Sequence, residues 1–281
     1  MKKYRNRHSA THTLLSFLLC VMLAACSTTP ESNDEYEGWT AERFYTEAKS
    51  ELRDENYKKA ITLYETLETR YPFGRYAKQA QLDVGYAYYK YSEPDAALAA
   101  ADRFIKLHPR NPKVDYAYYL KGLVNYNRSI GFLERFVPTD SSQRDPGAAR
   151  ESFNDFQILI DKFPNSHYVA DARQRMIALR NNLALYEIHV ASYYMKKNAY
   201  VAAAERGVYV IENYQRTPAV PLALKIMKAA YTKMAMNDLA ADAERVYQLN
   251  YANGIPGSVN TNLYDESWAK SFWDIVGLDE D

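Results

Sequence analysis

Three stretches of this chain run at a helical period and stop at the same kind of dipeptide, a ring followed by proline: Tyr71-Pro72, His108-Pro109 and Phe163-Pro164. Proline lacks the N–H that continues a helix and its ring clashes with the preceding turn, so each dipeptide closes a helix. Recurring stops mean an array of like units. Such units cannot bury an apolar face alone and must stack on their neighbours. The register can be read directly. Phe44 and Ala48 mark a first helix, Ala60, Tyr64 and Leu67 a second, and Pro72 the stop; the same frame moved by 37 residues lands on Gly85, Ala97 and Pro109, with Tyr88 on the helix of Gly85.

Small residues where two helices touch, aromatics beside them and a closing proline make up the tetratricopeptide pattern of helix–turn–helix units. The expected fold is all-α, a superhelix of about five such repeats. A third unit has its first helix from Pro112 to about Arg128, with Gly122 at the small position. Its second helix is expected near Pro146, with Asp145 as N-cap and Pro146 at N1. Residues 129–145, which carry Gly131, Pro138 and Ser141-Ser142, read as a long loop between them. The fourth unit places Ala191 and Tyr194 on a first helix and Ala203 on a second. From Ser166 to Lys197 there is no proline or glycine, so that first helix is expected to be long, about 48 Å at ~1.5 Å per residue. The fifth unit offers Tyr231, Ala240 and Tyr251, with Asn253-Gly254 ending it. The remainder, 255–281, reads as a tail with one short helical segment, Asp265 to Ile275, bearing Trp268, Phe272 and Trp273.

The other end of the chain has the anatomy of a secretion signal. Lys2, Lys3, Arg5 and Arg7 precede an apolar run from Leu14 to Ala25 that only Ser16 breaks. That run is shorter than the roughly 20 residues a spanning helix needs. It ends in Leu23-Ala24-Ala25-Cys26, which resembles the bacterial lipobox, where the cysteine is diacylated, the preceding peptide cut and the new amine acylated. A buried amphipathic helix or an uncleaved anchor is the other reading of the same stretch. Several acyl chains on one residue anchor a protein stably. Ser27 rather than an aspartate follows the cysteine, which implies an outer-membrane address. Removing residues 1–25 takes Cys20 away and leaves Cys26, carrying lipid, as the one cysteine, so neither an internal disulfide nor a cysteine metal site is expected. The balance becomes 31 basic against 35 acidic residues, which argues against nucleic acid as a partner. The expected organisation is thus 1–25 signal, 26–38 linker, 39–164 repeats 1–3, 165–254 repeats 4–5 and 255–281 tail. Ser27 to Gly38 is a polar leash that reaches at most about 40 Å at ~3.3–3.6 Å per residue.

Tyrosine is in surplus, with 26 in the chain. Repeat helices use aromatics in their core, and Tyr119, Tyr126 and Tyr186 fit that role. Packing alone does not suit Tyr86-Tyr88-Tyr89-Tyr91, Tyr116-Tyr118-Tyr119 or Tyr193-Tyr194, because adjacent positions on a helix turn by about 100° and the rings must face more than one way. A groove lined by tyrosine, a residue favoured where proteins meet, accounts for them. Chemistry finds little support. After the signal, His108, His167 and His189 stand apart, and no nucleophile elbow or phosphate loop occurs. His108 fits a local cap at a repeat end, and His189, close to Glu187, a surface or interface role. No catalytic residue, metal or cofactor is expected beyond the lipid on Cys26.

Several stretches in order resemble one family. Tyr57 to Tyr76 reads YKKAITLYETLETRYPFGRY, with Arg70-Tyr71-Pro72-Phe73-Gly74 the sharpest part. QLDVGYAYYK (Gln81 to Lys90), DRFIKL (Asp102 to Leu107), Arg144-Asp145-Pro146, Phe163-Pro164-Asn165-Ser166 and AYVAAAER (Ala199 to Arg206) continue it. From about Tyr45 to Tyr251 the chain resembles the BamD, or ComL-type, lipoproteins of the outer-membrane β-barrel assembly machinery. The resemblance implies a periplasmic adaptor, not an enzyme. It implies a C-terminal half that binds the periplasmic POTRA domains of BamA, with Arg206 in the place of an interface arginine and Tyr193 and Tyr194 beside it. Other Bam lipoproteins and unfolded β-barrel proteins are the remaining partners implied. An N-terminal groove for the barrel substrates maps onto Phe73, Tyr76, Tyr86, Tyr88 and Tyr89. The tail after Tyr251 goes beyond the shared pattern. A pilotin that carries a secretin, or a peptidoglycan-associated protein, would share the anchor and the repeats but not the RYPFG stretch.

Overall fold

The computed structural model describes residues 34–130, 142 and 144–251. The signal, Cys26, most of the loop after the third unit's first helix, Asn253-Gly254 and the tail with Trp268, Phe272 and Trp273 lie outside the described residues. The chain divides into two units, residues 1–40 and Ala41–Asp281. In the first, Tyr36 and Trp39 meet edge to face at 5.0 Å.

Among the described residues the second unit is built of α-helices joined by short turns, with no strand. Its helices are α1 (Ala41–Arg53), α2 (Tyr57–Arg70), α3 (Arg75–Lys90), α4 (Pro94–Leu107), α5 (Val114–Ile130), α6 (Gly147–Lys162), α7 (Val169–Lys196), α8 (Tyr200–Asn213), α9 (Ala219–Lys233) and α10 (Asn237–Tyr251). Each packs on the next, and each odd-numbered helix also touches the following odd-numbered one. The odd helices therefore form one continuous layer, the arrangement of a tetratricopeptide-like superhelix. Among the described residues no helix is long and apolar enough to cross a membrane.

The frame read from spacing is the packing frame. Phe44, Ala48, Ala60, Tyr64, Leu67 and Ala97 are fully buried. Gly85 stands where a Cβ would press on Leu120 Cδ2 at 3.1 Å and reach Ala100 at 3.5 Å. Gly122 is tighter still: a Cβ there would lie 2.8 Å from Phe156 Cζ and closer to two other ring atoms. Phe156 is itself fully buried, and Ser152 Oγ donates to the Gly122 carbonyl at 2.9 Å. These contacts draw α5 and α6 together around a glycine.

Turns within a repeat share one design. Glu55, Ser92, Asn198 and Ala235 all have positive φ, between 57° and 65°. After each, the next N–H reaches back five residues, as in Asn56 to the Glu51 carbonyl and Met236 to the Tyr231 carbonyl. This is the Schellman closure of a helix, here built without glycine. Between repeats the helix ends on a ring instead: Tyr71, His108 and Phe163 as expected, and also Tyr214, which no proline follows. His108 Nε2 lies 2.7 Å from Gln81 Oε1, and its ring packs on Phe104 at 5.1 Å.

Two local expectations need adjustment. Helix α6 begins one residue late: Pro146 takes the N-cap position, and Asp145 Oδ1 accepts from the Gly147 N–H at 3.2 Å. Proline's carbonyl still serves the first turn, through the Arg150 N–H at 2.9 Å. Helix α7 has 28 residues and starts at Val169, because Pro164 to Tyr168 is used in turns, with the Ser166 N–H on the Phe163 carbonyl and the Val169 N–H on the Ser166 carbonyl.

Candidate interaction surfaces

Tyrosine rings and carboxylates on the odd helices contact one another from repeat to repeat. At the N-terminal end, Tyr45 of α1 meets Tyr76 of α3 in a tilted pair at 5.5 Å, and the Arg75 guanidinium lies 4.7 Å over the Tyr76 ring. The Tyr45 hydroxyl donates to Asp83 Oδ2 at 3.0 Å, while Gln79 donates to Asp83 Oδ1 at 2.6 Å. Lys113, just before α5, donates to Gln79 Oε1 at 2.6 Å. Burial raises the Asp83 carboxyl above its ordinary range, against the hydrogen bonds from Gln79 and Tyr45 and the charges of Lys49 and Lys113. The same burial, with Asp83 close by, raises the Tyr45 phenol.

The row continues along α3 and α5. Tyr86 and Tyr89 pair at 6.1 Å, and Asn127 of α5 donates to the Tyr89 hydroxyl at 2.7 Å. Tyr116 and Tyr119 of α5 both meet Tyr168, which caps α7: Tyr116 at 5.5 Å, and Tyr119 in a near-parallel stack at 4.6 Å. The Tyr119 hydroxyl donates to Asp171 Oδ2 at 2.6 Å, which Arg175 also engages. Burial, together with Asp171, pushes the Tyr119 phenol up to about 12. Six of the tyrosines are thus spent joining successive first helices.

The sequence-predicted groove residues do not form one patch. Tyr76, Tyr86 and Tyr89 belong to this row. Tyr88 lies about 200° around the helix from Tyr86, and its hydroxyl donates to Glu65 of α2. Phe73 sits on the α2–α3 connection, 90% exposed, one residue before Gly74, whose φ of 112° opens the turn into α3. Tyr45, Asp83, Tyr116 and Tyr119 complete the row, and only the third dimension connects them.

The C-terminal candidates lie where α6, α7 and α8 meet. Arg206 Nη1 donates to Glu187 Oε2 at 2.8 Å, and Arg150 of α6 reaches Glu187 Oε1 at 3.5 Å. The Glu187 side chain is 1% exposed, whereas Arg206 and Arg150 keep 42% and 53% of their surface. One buried carboxylate thus holds two half-exposed guanidiniums at the junction of three helices. Tyr193 is exposed, with the Lys197 ammonium 5.7 Å over its ring. Tyr194 is half-buried against the C-terminal core and 5.9 Å from Tyr193. His189 binds Ser142 at 2.9 Å, which ties the far end of the long loop to α7.

This architecture matches known proteins closely in sequence. A family model described as an outer membrane lipoprotein, YfiO, matches residues 38–246. The outer membrane protein assembly factor BamD of Neisseria gonorrhoeae is 46% identical over 241 residues, which cover 85% of this chain and 90% of that one. The proteins of the same name from Xylella fastidiosa (strain 9a5c) and Vibrio cholerae are 35% and 34% identical, covering 94% and 85% of this chain and 86% and 98% of their own lengths.

Proposed function

The chain belongs to the YfiO family of outer membrane lipoproteins, which it shares with the BamD assembly factors, and from that membership we propose that it is a non-catalytic adaptor of the outer-membrane β-barrel assembly machinery. In this reading Cys26 carries the lipid and holds the protein on the periplasmic face of the outer membrane. The leash of residues 27–38 lets the repeats hang below the membrane beside the POTRA domains of BamA. Arg206, Tyr193 and Tyr194 face BamA, other Bam lipoproteins join the assembly, and the N-terminal repeats receive unfolded barrel proteins.

The observation that carries substrate receipt is the aromatic row of α1, α3 and α5. Rings offer large contact area at little entropic cost, and the phenol oxygens beside them accept from the backbone N–H groups of an extended chain. Phe73, the most exposed aromatic of the candidates, stands at the entrance to α3 as an anchor. Barrel proteins end in a strand with a terminal aromatic, which suits such a groove. Tyr86→Ala with Tyr89→Ala should reduce photocrosslinking of a C-terminal barrel peptide roughly tenfold, the loss typical of deleting interface aromatics, with the circular dichroism unchanged. Crosslinking at the wild-type level would remove these residues from the binding site.

A further inference from the structure

Helix α10 is the last described layer of the stack, and apolar side chains stand exposed on it. Leu239, Val246 and Leu249 recur at steps of seven and three, so they share one helical face, and Leu249 is 73% exposed. Beside the start of α10 lies a groove of about 400 Å³ lined by Val201, Val208 and Tyr209 of α8, with Glu205 and Glu212 among its walls, and by Tyr231, Met234 and Met236 at the α9–α10 turn. Met236 immediately precedes α10, so groove and stripe meet within one turn, at Leu239. A repeat stack needs a terminal element with a polar outer side to close its last apolar face.

We propose that the segment Ser267–Ile275 of this same chain docks on that groove and stripe and caps the stack. Trp268, Phe272 and Ile275 follow one another at four and three residues, so in a helix they share one face, with Asp274 and Lys270 away from it. Reach is ample. Sixteen residues separate Tyr251 from Trp268, an extended span of up to about 53 Å, whereas α10 is about 22 Å long. A tether of that length keeps the segment at an effective concentration in the millimolar range, so the apolar contact of two rings and an isoleucine carries the docking, with no help from the charge of Glu205 and Glu212. The cap does not rest on the adaptor reading, since it is argued from the exposed faces of α8, α9 and α10 alone.

The test places the photoreactive residue benzoylphenylalanine at Tyr209 or at Leu239 in the full-length lipoprotein, purified in detergent. Irradiation should join it to a peptide within residues 265–276 in the monomer band. Trp268→Ala with Phe272→Ala should lower that product roughly tenfold, as loss of anchor aromatics does. Products that join two copies, that map elsewhere in the chain, or that survive the double substitution would overturn the proposal. Hydrogen exchange gives a second readout: in the double variant the amides of α8 and of the first turns of α10 should exchange faster, and unchanged exchange would count equally against the cap.

Discussion

Gly122→Ala is expected to be the most destabilising single-methyl change in the described chain. The new Cβ would overlap the ring of Phe156, which is fully buried and has no free side to move toward. Inserting a methyl into a filled core costs about 1–3 kcal/mol, and the ring contact here is closer than van der Waals distance, so the upper end applies. Near 3 kcal/mol corresponds to a fall in Tm of roughly 6–12 °C for a domain of this size. Gly207→Ala provides the control. Its Cβ would meet Met227 Cγ at 2.5 Å, Sδ at 3.1 Å and the Ala223 carbonyl oxygen at 3.2 Å; methionine is unbranched and adapts, and alanine favours the helix by up to about 1 kcal/mol over glycine. The Gly207 variant should therefore lose clearly less than the Gly122 variant. Equal melting of the two variants would mean that α5 and α6 do not meet as described.

Arg206→Leu should have the second large effect, and on two properties at once. Removing this guanidinium leaves the buried Glu187 carboxylate with Arg150 alone, at 3.5 Å. Breaking a buried pair costs about 3–5 kcal/mol, but Arg206 is nearly half exposed and its pairing is correspondingly screened, so about 1–3 kcal/mol is expected. The same change should weaken binding to BamA's periplasmic domains. A double variant separates the two effects. With Glu187→Leu added, no uncompensated carboxylate remains and stability should return toward the parent, since apolar replacement of a buried pair is often neutral. If Arg206 itself contacts BamA, binding stays impaired in the restored protein. Recovery of binding along with stability would reduce Arg206 to a brace that orients α8 against α7.

What could be read from the sequence, and what could not, follows from how far each signal travels along the chain. Alanine and glycine at the helix crossings, and rings followed by proline at the ends, are local marks. They mark Ala48, Ala60, Gly85, Ala97 and Gly122, each of which stands buried or tightly packed at a helix crossing. Turns within repeats left no such mark, because Glu55, Ser92, Asn198 and Ala235 hold a positive φ that glycine would ordinarily announce. The ring cap at Tyr214 was hidden for the same reason, as Gln215 stands where the other caps have proline. Partners were less legible than elements. Tyr45 finds Asp83 38 residues away and Tyr119 finds Asp171 52 residues away, and no spacing within one helix relates them. Composition showed that tyrosine was in excess but not that its rings and hydroxyls join one repeat to the next. Arg206 carried a family role in the sequence, while its immediate partner, Glu187, emerged only when α7 and α8 were packed together.

Under the proposed function the repeats recognise BamA and the lipid supplies only location. A tagged chain with Cys26→Ser, secreted through an ordinary signal and purified from the periplasm without detergent, tests this most directly by pull-down. The prediction is that it recovers BamA and that isolated POTRA domains compete it away. Recovery of a secretin without BamA, or loss of BamA on removing the lipid alone, would contradict it.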